Sequence, residues 1–196
     1  VDGISYTFPL GEKATALVGF DVDGSSLYNT ACRYSGPSDT LDNCGNWMSA
    51  MATDSDTALG LTYDFGNGLT ASFGYEGDGT TGLATEQGLD AYGGQLAYNS
   101  DKYGISLTYA KIEPITTSAD SYTAINGYFD PGFEGVPSIS AGYEMGDDES
   151  ETGDASELSA YFIGLQWDEF MSGILGVALG TQGHYAENAD EELMYE

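Results

Sequence analysis

Two cysteines, one histidine and a large excess of carboxylates are the side chains of this chain that could do chemistry. Cys32 and Cys44 are its only cysteines. The segments around them, Ala31-Cys32-Arg33-Tyr34-Ser35-Gly36-Pro37 and Asp42-Asn43-Cys44-Gly45, are rich in turn formers, so the two sulfurs can meet. An even cysteine count in an exported protein reads as one disulfide stapling a loop. The alternative is a pair of free thiols. Metal binding by this pair fits less well, because zinc wants four ligands and the lone His184 lies far along the chain.

Carboxylates are too many to nominate a site. Asp plus Glu total 32 against 4 Lys plus Arg, a formal charge of −28. Any acid pair could be proposed as a glycosidase, and none is specific. There is no Gly-x-Ser-x-Gly elbow and no phosphate-cradling glycine loop, so no enzyme is expected. Gly146-Asp147-Asp148-Glu149-Ser150-Glu151-Thr152-Gly153-Asp154 offers the oxygen ligands that calcium prefers. It does not match an EF-hand, and Asp21-Val22-Asp23-Gly24 is too short a fragment of one. The plainer reading is a solvated acidic loop, and no cofactor is expected. So negative a field repels phosphate backbones, which excludes nucleic acid as a partner. High charge with little hydrophobicity can also mean disorder. Here the acids sit mostly in loops between patterned strands, which argues against it.

These residues must be positioned by strands. Thr57–Phe65 alternates cleanly, with Leu59, Leu61, Tyr63 and Phe65 against Ala58, Gly60, Thr62 and Asp64. Leu69, Ala71, Phe73 and Tyr75 oppose Thr70, Ser72, Gly74 and Glu76. Tyr92–Tyr98 and Tyr103–Tyr109 repeat the pattern, and a period of two puts each set on its own sheet face. Ser121–Asp130, Ser138–Met145, Glu157–Trp167, Gly173–Gly180 and Ala14–Phe20 follow, and one more strand begins near Asp190. Nine or ten strands are visible. Asn67-Gly68 between two alternating runs predicts a hairpin of Thr57–Phe65 with Leu69–Glu76.

Tight turns near Gly66–Gly68, Ser100–Lys102, Pro131–Gly135 and Asp168–Ser172 alternate with long acidic loops. Strands of roughly 9–11 residues with short turns at one end and long loops at the other predict an antiparallel transmembrane β-barrel. Aromatics at strand ends, among them Tyr63, Phe65, Tyr75, Tyr92, Tyr98, Tyr103, Tyr109, Tyr143 and Trp167, fit the two interfacial girdles of such a barrel. A soluble sandwich or jelly roll also alternates, but its loop lengths have no reason to. The longest apolar run, near Ile174–Leu179, is too short for a transmembrane helix.

The function expected of a barrel is passive diffusion of small hydrophilic solutes and inorganic ions across an outer membrane. Strand phase assigns the pore lining to Thr62, Asp64, Thr70, Ser72, Gln95, Ser106, Thr108, Asn126, Ser138, Ser140, Glu144 and Gln166. Two alternatives stand beside it. One is a surface-exposed binding or adhesion module carried on a barrel. The other is a soluble all-β enzyme, lectin or carbohydrate-binding protein.

Several segments resemble cyanobacterial outer-membrane porins. They are Tyr6-Thr7-Phe8-Pro9-Leu10-Gly11, Thr30-Ala31-Cys32 with Gly36-Pro37-Ser38-Asp39-Thr40-Leu41-Asp42-Asn43-Cys44-Gly45, and Tyr63-Asp64-Phe65-Gly66-Asn67-Gly68. Pro137-Ser138-Ile139-Ser140 with Gly142-Tyr143-Glu144, Phe162-Ile163-Gly164-Leu165-Gln166-Trp167, and Ala189-Asp190-Glu191-Glu192-Leu193-Met194-Tyr195-Glu196 complete the set. The porins concerned carry an N-terminal S-layer-homology domain, are related to the carbohydrate-selective porin family and are often called iron uptake porins. The resemblance implies a sixteen-stranded barrel in outer-membrane lipid, usually trimeric, whose N-terminal domain grips the cell wall. Sugars and iron species then join the permeants expected. With no signal peptide, no such domain and no terminal barrel strands, the chain reads as a central segment of one porin domain spanning residues 1–196.

The loop from Asp21 to about Asp56 is far longer than the usual connection between strands, which implies a role. It is expected either to fold inward and narrow the pore, or to act as a lid or subunit latch. Asp64, Glu76 and Glu144 fall at lumen positions and no basic residue does, so the pore is expected to prefer cations weakly. A reversal potential measured across a salt gradient checks this: cation preference, stronger at low salt, is the expected result.

Overall fold

Alternating side chains become one antiparallel sheet in the structure, a computed structural model that describes residues 3–36, 41, 43–51, 57–79, 82–85, 88, 90–113, 120–148, 157–181, 183–186 and 192–196. The strands are β1 (Ile4–Leu10), β2 (Ala14–Phe20), β3 (Thr57–Gly66), β4 (Leu69–Gly77), β5 (Asp90–Asn99) and β6 (Tyr103–Ile112). They continue as β7 (Asp120–Phe129), β8 (Ser138–Asp147), β9 (Glu157–Phe170), β10 (Gly173–Thr181), β11 (Tyr185–Ala186) and β12 (Leu193–Tyr195). Each strand from β1 to β10 pairs with its neighbour in the chain, and β12 pairs with β10. The two-residue β11 adds to the end of β9. Among the described residues there is no helix, and no pairing joins β1 to β12, so the sheet is not closed.

Period-two counting finds nine or ten strands; the described residues form twelve. β1 was hidden by Pro9, which cannot donate to a ladder and is tolerated on the sheet edge that β1 forms. β11 is too short to show a period. The strand looked for near Asp190 is β12, and residues 187–191 lie outside the described set, as do Pro37–Thr40 and Asp42 of the cysteine loop.

Short connections stand at one end of the sheet and long ones at the other. At one end four connections have two or three residues, 11–13, 67–68, 100–102 and 171–172, and a fifth, 130–137, has eight; at the other end 21–56, 78–89, 113–119 and 148–156 have seven or more. The β3–β4 hairpin forms as expected, with Leu61 opposite Phe73 and a bulge between Asp64 and Gly66. Its turn holds Gly66, Asn67 and Gly68 at φ 91°, 58° and 85°. Glycine and asparagine tolerate this left-handed region, and such turns match the twist of the flanking strands. The turn is also tied sideways, since Asn99 N donates to Gly68 O at 2.9 Å.

Register brings the inward residues into cross-strand rows. One row runs Thr62, Ser72, Gln95, Thr108, Ala124, Glu144, Ala160 across seven strands. The next runs Asp64, Thr70, Ala97, Ser106, Asn126, Gly142, Phe162. The opposite face carries Leu61, Phe73, Leu96, Ile105, Leu107, Ile125, Ile139, Ile163 and Val177, all exposed. A water-soluble sheet buries its apolar face; this one leaves that face open and covers the polar one.

An added Cβ at Gly68 would lie 2.0 Å from Asn99 O, on a backbone already at positive φ. Gly68→Ala is therefore expected to cost about 1–3 kcal/mol. A urea titration of the refolded protein, read as a fall in midpoint at unchanged slope, checks it.

Candidate functional site

What covers the polar face is the long connection itself. Its described residues, 21–36, 41 and 43–51, leave β2 at the long-loop end, lie inward along the wall of strands, reach the short-turn end by 33–35 and stand back toward the rim by 48–51. An irregular strap of this kind has backbone N–H groups that no strand can pair, and burying them unmet is costly. The wall's side chains meet them. On the descending arm Gly24 N donates to Glu76 Oε1 at 2.7 Å, Asn29 N to Gln95 Oε1 at 2.6 Å, and Ala31 N to Ser106 Oγ at 3.0 Å. Gln95 spends its amide nitrogen on Thr30 Oγ1 and Thr108 Oγ1, at 2.8 and 3.0 Å. Where the strap crosses the sheet, Arg33 N and Tyr34 N both donate to Ser140 Oγ, and Ser35 N donates to Gln166 Oε1.

The returning arm is held at two points. Asn126 Nδ2 donates to Cys44 O at 2.8 Å. Glu144, fully buried at 0 % exposure, takes Met48 N on Oε1 at 3.0 Å and Ser49 N on Oε2 at 2.8 Å, with the Ser49 hydroxyl donating beside it. His184 Nε2 stands against the same Oε1, and its ring packs 5.1 Å from that of Tyr122. One carboxylate thus joins the strap, β8 and the residues that follow β10. At the rim, Ser25 Oγ donates to Ala50 O and ties the two arms together. Deeper in, a Cys32–Cys44 disulfide does so covalently, with Cα atoms 6.5 Å apart. The disulfide is the pairing expected from the cysteine count.

Packing follows the same path. Tyr34, Leu41, Cys44, Phe162 and Ala178 form one buried cluster, with Cys32 and Met194 against it. Met51, Ala91 and Ala110 form another, with Tyr28 and Ile112. Both clusters lie between strap and sheet, and small wall residues make room for them. A Cβ added at Gly142 would stand 1.9 Å from Cys44 O, and one at Gly74 would stand 2.4 Å from Met51 Cε. Tyr34 also reaches Glu196, whose Oε1 accepts its hydroxyl at 2.9 Å. Burial, then the Glu196 carboxylate, pushes the Tyr34 phenol above its ordinary range. Burial and the nearby Glu76 do the same for Tyr28. Both phenols therefore stay neutral, and Tyr34 remains a donor.

The twelve positions assigned to a pore lining share this inward face, but most do not meet solvent. Ser72, Gln95, Ser106, Thr108, Asn126, Ser138, Ser140, Glu144 and Gln166 are buried. Thr62 and Thr70 are half-buried, with Thr62 Oγ1 2.8 Å from Ser72 Oγ. Asp64 alone of the twelve is exposed, beside the β3–β4 turn, where its Oδ1 accepts from Gly66 N at 2.7 Å. Two of the three carboxylates expected to select cations, Glu76 and Glu144, instead hold strap amides away from solvent. The acidic loop considered for calcium is described only through Asp148. Residues that sequence reasoning passed over are Arg33, Tyr34, Glu196 and the inward glycines and alanines. The last group did leave a signal: Gly and Ala recur on the polar phase of nearly every strand, at positions where a water-filled lumen has no need of small side chains.

The chain was compared with known protein families, curated proteins and solved structures, and it matches none of them. Function is therefore read from the geometry of this chain.

Glu144→Ala would leave two strap amides without an acceptor and remove the carboxylate beside His184. The expected cost is about 2–5 kcal/mol. Amide exchange at Met48 and Ser49 should rise sharply while exchange in β5–β6 stays slow; protection at Met48 and Ser49 equal to that of the unaltered protein would contradict the anchoring role.

Proposed function

We propose that this chain forms the wall and inner strap of an outer-membrane diffusion pore for small hydrophilic solutes and inorganic ions. The observation that carries the reading is the inverted polarity of the sheet. Leu96, Ile105, Leu107 and Ile125 are each about half exposed in the middle of their strands. In water, leaving such side chains unburied forgoes about 1.5–3 kcal/mol apiece. In lipid the same band is at home, and bilayer thickness suits strands of this length. Aromatics bracket the band. Phe65, Tyr103 and Phe129 stand exposed near the short turns, and Phe20, Tyr92 and Tyr109 toward the long loops. That is the girdle arrangement of outer-membrane barrels, in which short turns face the periplasm and long loops the exterior.

Lipid tolerates no open sheet edge. In this reading β1 and β12 therefore meet further strands, as the sixteen-stranded, trimeric porins that the sequence resembles would supply, with a wall-binding domain at their N-terminus. The strap narrows the lumen from the side of β3–β10. Permeant classes compatible with a polar lumen are inorganic ions, iron species and small sugars.

A second reading has one observation in its favour. A strap that covers the wall this fully also suits a closed barrel whose loops serve as a binding or adhesion surface. Planar-bilayer recording of the full-length protein separates the two: stepwise conductance is expected, and membrane insertion without conductance steps would favour the adhesion reading.

A further inference from the structure

Arg33 is one of four basic residues in a chain of formal charge −28, and the strap carries it to the end of the sheet farthest from where the strap enters. Its backbone is fixed from several sides. Arg33 N donates to Ser140 Oγ at 2.9 Å, and Ala31 N and Tyr34 N on either side are bonded to Ser106 and Ser140. Cys32 next to it closes the disulfide ring through Cys44, whose carbonyl is held by Asn126. From this fixed point the side chain passes over the Tyr128 ring, with its guanidinium carbon 5.0 Å from the centroid. Nη2 then donates to Asp101 O at 3.0 Å and to Ser100 O at 3.4 Å, both in the β5–β6 turn. The Tyr128 hydroxyl donates to Ser100 O as well. That turn is closed on itself by Ser100 N and Ser100 Oγ on Tyr103 O, so its remaining carbonyls are presented at a set angle.

We propose that Arg33 is the positioning residue of the strap: it docks the tip on the β5–β6 turn and so sets the width, and with its charge the selectivity, of the passage at the short-turn mouth. The proposal rests on the pore reading above. Planar guanidinium geometry suits two adjacent carbonyls and an aromatic face at once, which a lysine ammonium does not reproduce. Its charge matters because Glu76 and Glu144 are buried under the strap. The short-turn end also carries the exposed Glu12, Asp64, Asp101, Glu134, Asp168 and Glu169 against Lys13 and Lys102, so without Arg33 an already negative mouth would be more negative.

The test compares Arg33→Gln and Arg33→Lys with the unaltered full-length protein, in two measurements. Hydrogen exchange of the refolded protein reads the docking: both variants are expected to speed exchange of amides 29–36 about tenfold while the β8 and β9 ladders are unchanged. Planar-bilayer recording in potassium chloride reads the passage. Both variants should raise unit conductance, but only Arg33→Gln should move the reversal potential toward stronger cation preference. Unchanged exchange in both variants overturns the positioning role whatever the conductance. Faster exchange with an unmoved reversal potential in Arg33→Gln overturns the selectivity role. If the unaltered protein inserts and never conducts, the pore reading fails, while exchange still decides the docking. Should Arg33→Gln not refold, Arg33→Lys, which keeps the charge and the aliphatic stem, decides the docking by exchange.

Discussion

Everything inside this sheet depends on one requirement: a strap of irregular backbone can lie against a wall of strands only if its peptide groups find partners. The strands have spent their own N–H and C=O groups on each other. What remains to them are side chains, and the wall supplies Glu76, Gln95, Ser106, Ser140, Glu144 and Gln166 as acceptors. An unmet buried donor costs about 1–3 kcal/mol, so the strap's path is dictated by where those side chains stand. They stand in rows because the register is unbroken across the middle of the sheet. The order of causes therefore runs from alternation, to register, to rows of acceptors, to the course of the strap.

That order also explains why so acidic a chain tolerates buried carboxylates. A carboxylate with no partner is among the costliest groups to bury. Glu144 instead accepts from two strap amides and the Ser49 hydroxyl, with His184 against it, and these replace the hydration it loses. Its burial then becomes a source of specificity, since another loop conformation would strand it. The outer face has the reverse character. It contributes almost nothing to a core, because the buried apolar clusters of the described residues lie between strap and wall. For the chain in the proposed membrane setting, lipid takes the place that a second sheet or a layer of helices takes in a soluble fold.

Much of this was legible in the residues. The period of two in Thr57–Phe65, Leu69–Tyr75 and Tyr103–Tyr109 belongs to the backbone itself, and the structure keeps those faces. Asn67-Gly68 names its own turn, and two cysteines in one loop leave one intramolecular pairing. The strap's route was not legible, because it is set by contacts between residues far apart in sequence, such as Gly24 with Glu76 and Ser35 with Gln166. Polar inward residues look the same whether they face water or a peptide. For this reason Glu144 read as a pore charge when it is an anchor. Arg33 carried no local signal either, because its partners are main-chain carbonyls of a turn. β1 was missed for a different reason: Pro9, which cannot donate to a ladder, argues against a strand there.

The strap leaves from β2 and rejoins at β3, and those two strands are neighbours, with Gly19 opposite Ala58. Its two ends are therefore side by side on one rim, and the lobe between them is a cul-de-sac. A lobe of this topology never has to be threaded. The strands can assemble first and the lobe can swing in afterwards, or swing out again, with no strand pair broken. Because the disulfide closes near the far tip, its ring can be sealed while the lobe is still outside, so that a finished, covalently shaped insert is what the wall receives.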